Sequence, residues 1–256
     1  MSKGLSFRKT VLSAIALVVF GLTASVGRAE RALLTAAVVA ADQVFLVNTN
    51  IAGTGQVDAQ ATFHQSAANL LQISLQNLQS TSNVGQGISG IQFQICDASG
   101  HVLNITGSIT AQNNPVINVD GGGNVTSLGT MATGWGLSSN GPSFTMTALG
   151  FTGNGTNPPD ELILGILSSP NSSIAGNGPH NPFINGTGVF SLTLSQNLPL
   201  GFQICNVVFL FGTGPDSVNA PTASVPEPAS MLLLGSGLAG VAARLRRRRK
   251  NAAKPA

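Results

Sequence analysis

From Ala32 to Val225 the chain has neither lysine nor arginine. Tyrosine is absent throughout, Trp135 is the only tryptophan, and charged residues are 8% of the 256 positions. The lack of internal cations excludes one class of function. A surface without Lys or Arg releases no counterions from a phosphate backbone, so the central region is not a nucleic-acid binder. The nominal pI of 9.3 misleads for the same reason. All twelve cations lie in the terminal segments, while Asp42, Asp58, Asp97, Asp120, Asp160, Glu161 and Asp216 give the middle a formal charge of −7. Also missing are G-x-S-x-G, the phosphate-binding P-loop and H-E-x-x-H, so no common catalytic motif selects a reaction. No cofactor is expected.

What is present begins with two address-like ends. Lys3, Arg8 and Lys9 precede the apolar run from Val11 to Ala24, and Gly27-Arg28-Ala29 follows with small residues suited to cleavage. This is the grammar of a secretory signal, cut by signal peptidase after residue 29 or, alternatively, near Ala41. At the other end Val225-Pro226-Glu227-Pro228 leads into Ala229–Ala243, then Arg244, Arg246, Arg247, Arg248, Arg249 and Lys250. The prolines disfavour helix before Ala229. The 15 apolar residues are short of the roughly 17–25 of a full span, and snorkelling arginines extend them. The cations before the N-terminal apolar run and after the C-terminal one stay cytoplasmic, which sends the intervening domain outward. Gly235-Ser236-Gly237-Leu238-Ala239-Gly240 matches G-x-G-x-x-G, but without a preceding strand it reads as small-residue helix packing.

A Pro-Glu-Pro triplet, a short apolar helix and a terminal arginine cluster, in that order, resemble the PEP-CTERM sorting signal. The resemblance implies an exosortase-type transpeptidase as partner, inner-membrane anchoring before processing near Pro226, Glu227 and Pro228, and a periplasmic or extracellular ectodomain in an exopolysaccharide-making cell. The stretches Asn83–Ile91, His180–Phe183 and Phe211–Pro215 resemble segments of uncharacterised PEP-CTERM proteins and imply no activity.

Between the ends, apolar residues recur at every second position. Leu71, Ile73 and Leu75 alternate with glutamine and serine, Ile91, Phe93 and Ile95 with glutamine, and Phe190, Leu192 and Leu194 with serine and threonine. Period 2 predicts strands with one buried face. Further strands are expected at 59–65, 102–109, 116–119, 144–151, 161–167 and 202–211. Turns are expected at 83–90, 113–115, 120–124, 153–159 and 168–182. Nine or ten short strands without amphipathic helices predict an all-β fold, a β-sandwich or jelly-roll-like domain over residues 42–216. Residues 217–228 form a linker, and 229–250 the membrane helix and basic tail.

Cys96 and Cys205 end the same tetrapeptide, Phe-Gln-Ile-Cys. Two cysteines in an exported domain usually pair, the alternative being two buried thiols. Trp135, between Gly134 and Gly136, is either a core residue or a platform for stacking on a sugar. Asp120-Gly121-Gly122-Gly123-Asn124 is a glycine turn, with calcium as the alternative. His64, His101 and His180 share no metal-ligand spacing, so no metal is expected. Asp160 and Glu161 are the one adjacent acidic pair, and nothing selects a glycosidase couple from the seven acids. The function expected is a non-enzymatic surface or extracellular-matrix protein. The alternatives are a carbohydrate- or calcium-binding module of the exopolysaccharide matrix and, behind it, a polysaccharide hydrolase.

Overall fold

The computed structural model describes residues 41–149, 161–214 and 216–221. The signal helix, the Pro-Glu-Pro triplet and the C-terminal helix with its basic tail lie outside them. The described chain is all-β, as expected. Fourteen strands form two sheets.

The first sheet holds β1 (Gln43–Ile51), β2 (Gly55–Ala67), β3 (Leu70–Asn77), β12 (Thr187–Leu194) and β5 (Gly107–Ala111), in the order β1-β2-β3-β12-β5. Alternation decides its orientation. Val57, Ala59, Ala61 and Phe63 of β2, Leu71, Ile73 and Leu75 of β3, and Phe190, Leu192 and Leu194 of β12 are all buried. Their polar neighbours face out. A register slip of one residue would exchange the two faces, so burial fixes the pairing.

The second sheet runs β14 (Asp216–Asn219), β13 (Gln203–Phe211), β4 (Ile88–Cys96), β10 (Ile163–Leu164), β11 (Phe183–Asn185), β6 (Asn113–Val119) and β7 (Val125–Ala132). β9 (Ser143–Thr147) adds to β4 along residues 90–94 and carries β8 (Gly136–Asn140) at its far side. The inward residues Ile91, Phe93, Ile95, Phe144, Met146, Ile204, Phe209 and Phe211 join those of the first sheet in one apolar core. Phe45, Phe63, Phe93 and Phe144 form a chain of ring contacts across it, with centroids 5.0–5.7 Å apart. Aromatic pairs at such distances add about 0.5–1.5 kcal/mol each beyond area burial. A smaller cluster of Ile117, Val119, Leu162, Leu164, Ile174 and Phe183 lies under β6, β10 and β11.

Side-chain amides close the places where strands do not reach. Gln43 accepts from the Ile204 backbone N–H at 2.7 Å and donates to the Phe202 carbonyl, tying β1 to β13. Buried Asn77 donates to the carbonyls of Gln86 and Ile163 and accepts from the Gln79 N–H. Each bond satisfies a backbone group that would otherwise cost about 1–3 kcal/mol unpaired.

Several boundaries differ from the sequence expectation. β1, β7, β8, β11 and β14 were not anticipated as strands. Residues 113–115, expected to turn, open β6. Ile88, Ser89 and Gly90, expected as loop, begin β4. Gly90 is required there because a Cβ would sit 2.8 Å from the Met146 carbonyl oxygen. The strand expected at 102–109 starts only at Gly107, and that at 161–167 shrinks to two residues. β14 continues strand structure to Asn219, three residues past 216.

Candidate functional site

The two Phe-Gln-Ile-Cys tetrapeptides lie side by side. β4 and β13 pair antiparallel with Ile95 opposite Ile204, Cys96 opposite Gln203 and Cys205 opposite Gln94. The copies are therefore related by a local two-fold through the Ile95–Ile204 pair. Both isoleucines point into the core, which puts the cysteines on the opposite, outer face. There the diagonal neighbours Cys96 and Cys205 are joined by a disulfide, with Cα atoms 6.2 Å apart. Immediately after Cys205 the ladder is interrupted at Asn206 and Val207. Asn206 takes a left-handed conformation (φ 53°) and donates to the Gln94 side-chain oxygen. Gln94 in turn donates to Ser143 Oγ at 2.8 Å, so the bridge sits in a polar, hydrogen-bonded patch.

Trp135 is a core residue, not an exposed platform. It is 1% exposed, and its ring lies 4.7 Å from that of Phe190. The indole N–H donates to the Glu161 carbonyl at 3.0 Å. A sugar cannot stack on a ring whose faces are occupied, which corrects the stacking reading.

The clasp is reciprocal, because the Glu161 carboxylate accepts the Gly134 N–H. Glu161 adopts φ 71°, uncommon for a residue with a side chain, and these two bonds hold it there. Burial pushes its pKa above the ordinary 4.5, and the Gly134 hydrogen bond only partly opposes this. Its neighbour Asp160 lies outside the described residues. A raised folded-state pKa means that ionising Glu161 costs more in the folded than in the unfolded chain. Stability from this group is thus present below the unfolded pKa and falls as pH climbs from about 4.5 through the folded value. Glu161→Gln keeps an acceptor for Gly134 and is expected to flatten that decline in a pH series of thermal midpoints. An unchanged slope would assign the decline to another group.

The remaining candidates are locally engaged. Asp120 accepts from the backbone N–H of Gly122 and Asn124 and from the Asn124 side chain, which reaches both carboxylate oxygens. These bonds, the Asn124 side chain foremost, hold its pKa below the ordinary 3.8. The carboxylate is thus the hub of a glycine turn, and both its oxygens are already bonded within the loop. His64 Nδ1 meets Asp42 at 2.6 Å, and His101 lies 3.4 Å from Asp97, in both cases at the surface. His180 Nδ1 is enclosed without a partner among the described residues, and burial lowers its pKa. Among the described residues no three His, Cys, Asp or Glu converge as a metal set would.

The stretches 83–91, 180–183 and 211–215 make contacts within the fold. Two of them meet, as the Gly212 N–H donates to the Gly87 carbonyl at 2.8 Å. A Cβ at Gly212 (φ 63°) would fall 2.9 Å from the Gly85 Cα, so glycine is needed for both conformation and contact. In the third, Asn181 both accepts from the Val119 N–H and donates to its carbonyl, imitating a neighbouring strand with its side-chain amide. Sequence reasoning noted these phrases but could not see that they are clasps, since their partners are far away in the chain.

The site with a recognisable biological meaning is therefore the C-terminal tail. A family model for the PEP-CTERM protein-sorting motif matches residues 224–248. The chain carries a PEP-CTERM sorting signal. The match spans Pro226, Glu227 and Pro228 and the arginines up to Arg248, with Arg249 and Lys250 just beyond. A PEP-CTERM signal marks an exported protein that is sorted by an exosortase through membrane association. Searches of curated proteins and of solved structures each returned no match.

Proposed function

We propose that the PEP-CTERM signal delivers a non-enzymatic β-domain to the cell envelope, where it acts as a surface or extracellular-matrix protein in contact with exopolysaccharide. The observation that carries this reading is the sorting match at 224–248. In it, signal peptidase removes the N-terminal signal, and an exosortase-type transpeptidase cuts near Pro226-Glu227-Pro228 while the arginine cluster holds the tail in the inner membrane.

The outward face of the first sheet supports the matrix role. Gln60, Gln76 and Thr187 form one cross-strand row with Leu46 at its β1 end, Thr62 and Ser74 the next with Val44 and Val189 at its ends, and His64, Gln72 and Ser191 a third. Strand geometry spaces such side chains about 4.8 Å across and about 6.7 Å along the sheet. The amides and hydroxyls in these rows exchange hydrogen bonds with a hydrated, uncharged polysaccharide at low desolvation cost, directly or through water.

The test is removal of Pro226–Ala256. The truncated protein is expected to leave the envelope and matrix fraction and to appear as a soluble exported species. Retention at the wild-type level in fractionated cells would overturn the sorting step. The non-enzymatic part is checked separately. Glu161→Gln is expected to leave exopolysaccharide length and amount unchanged, and longer chains in that variant would favour a hydrolase.

A further inference from the structure

β7 stands out among the sheet edges. All eight of its residues, Val125–Ala132, are exposed, and only β6 pairs with it among the described residues. Val119 and Ile117 on one face of β6, and Asn114 and Val116 on the other, are buried, yet their cross-strand partners Val125, Ser127, Met131 and Gly129 are not. The strand projects past the core. Val125, Leu128 and Met131 expose 40–50% of their surface there. Such a strand presents unpaired N–H and C=O groups, and proteins usually blunt it with charge, proline or shortness. β7 has no charged residue and no proline, and it is eight residues long. Its one protective device is the bulge at Leu128, opposite the Val116–Ile117 step.

The other edges are managed. β5 has five residues and pairs through an irregular register. β14 has four and carries Asp216. β8, paired with β9 alone, has five residues. β1 is long, but Gln43 fastens it to β13.

We propose that β7 is an assembly edge that pairs antiparallel with β7 of a second copy of this chain. Charge selects both the occupant and the direction. The described region has acids and no cations, so most self-contacts are repulsive, whereas this strand is neutral along its whole length. The nearest acid is Asp120, in the turn before Val125. Antiparallel pairing places each Asp120 at the Ala132 end of the other strand, about 24 Å from its twin at 3.4 Å per residue. Parallel pairing would bring the two carboxylates together. The contact is isologous, so it closes as a dimer rather than growing into a fibre. A ribbon this small is weak in dilute solution. Confining the chains to a membrane raises their effective concentration and favours pairing.

The experiment is disulfide trapping of the full-length exported protein. In an antiparallel pair the two-fold falls near Leu128, so Leu128→Cys is expected to give a covalent dimer on non-reducing gels. Leu200→Cys, at a more exposed apolar position, is the control and is expected to stay monomeric. Adding Thr126→Lys and Thr130→Lys to the Leu128→Cys chain places like charges across the ribbon and is expected to lower the trapped fraction about tenfold or more. These are surface changes on an exposed strand, and an unchanged thermal midpoint checks that the fold survives. Equal trapping of the Leu128 and Leu200 variants, no trapping of either, or trapping indifferent to the lysines would each overturn the proposal.

Discussion

Removing the Cys96–Cys205 bridge is expected to lower the stability of the folded domain by about 4–5 kcal/mol, the loop-closure entropy of a crosslink spanning 109 residues. The bridge joins neighbours that the β4–β13 ladder already holds together. Its effect in the folded state is therefore small, and its main action is on the unfolded chain, which it prevents from expanding. That mechanism predicts two readouts rather than one. In urea the Cys96→Ala/Cys205→Ala protein should unfold at a lower midpoint. Its slope should also be steeper, because an uncrosslinked denatured state exposes more surface. A lower midpoint with an unchanged slope would instead point to lost packing around Cys96, which is 2% exposed. A loss of this size is comparable to the whole net stability of many domains. The protein should therefore depend on an oxidising compartment, which export supplies.

What could be read from the sequence follows from which strands have exactly one buried face. β2, β3, β12 and β13 lie inside sheets and alternate, as β4 does from Ile91 to Ile95, so period 2 reveals them. β1 alternates equally well, with Phe45 and Val47 buried and Val44 and Leu46 out. It is hidden because Asp42 and Gln43 alone separate its apolar residues from the apolar run Ala36–Ala41, and the stretch merges with the candidate cleavage region. β7 is hidden for the opposite reason. It overhangs the core, so no burial pattern is imposed on Val125–Ala132 and the sequence there is free to look like a loop. Asn113–Pro115 carries turn chemistry but forms strand. Buried Asn114 accepts from the Val189 N–H at 2.6 Å and so links β6 to β12, a tertiary bond that no local signal announces.

The candidate sites divide along the same line. The sorting signal is legible because its information is linear: triplet, apolar run and basic cluster in order. The disulfide is legible from cysteine count and compartment, and the repeated tetrapeptide gains meaning only when the two copies pair about Ile95 and Ile204. Glu161 has a part in the fold that sequence reasoning did not anticipate. As half of the one adjacent acidic pair it carries no signal of a distant partner. In the fold its backbone and carboxylate both face the Gly134-Trp135 segment. The signal that could have found it is weak, since it requires knowing that residues 26–27 apart in sequence meet.

Trp135→Ala is expected to cost about 3–5 kcal/mol, the range for deleting a large buried aromatic and leaving a cavity. The loss has two parts that a second variant separates. Trp135→Phe retains much of the ring contact with Phe190 but leaves the Glu161 carbonyl without its indole donor. That single lost bond is expected to cost about 1–3 kcal/mol, because the acceptor is left partly buried and unpaired. The Phe variant should therefore fall between wild type and the alanine variant in thermal midpoint. Both should bind exopolysaccharide as wild type does once folded, since the ring presents no face to solvent. A ligand platform would behave the other way, with binding lost in both variants and stability nearly untouched, because an exposed ring supports no core. The ratio of stability loss to binding loss therefore decides whether the one tryptophan serves the fold or a ligand. If it serves the fold, the proposed contact with the matrix falls to the outer face of the first sheet, where Gln72 and Gln76 sit in neighbouring cross-strand rows.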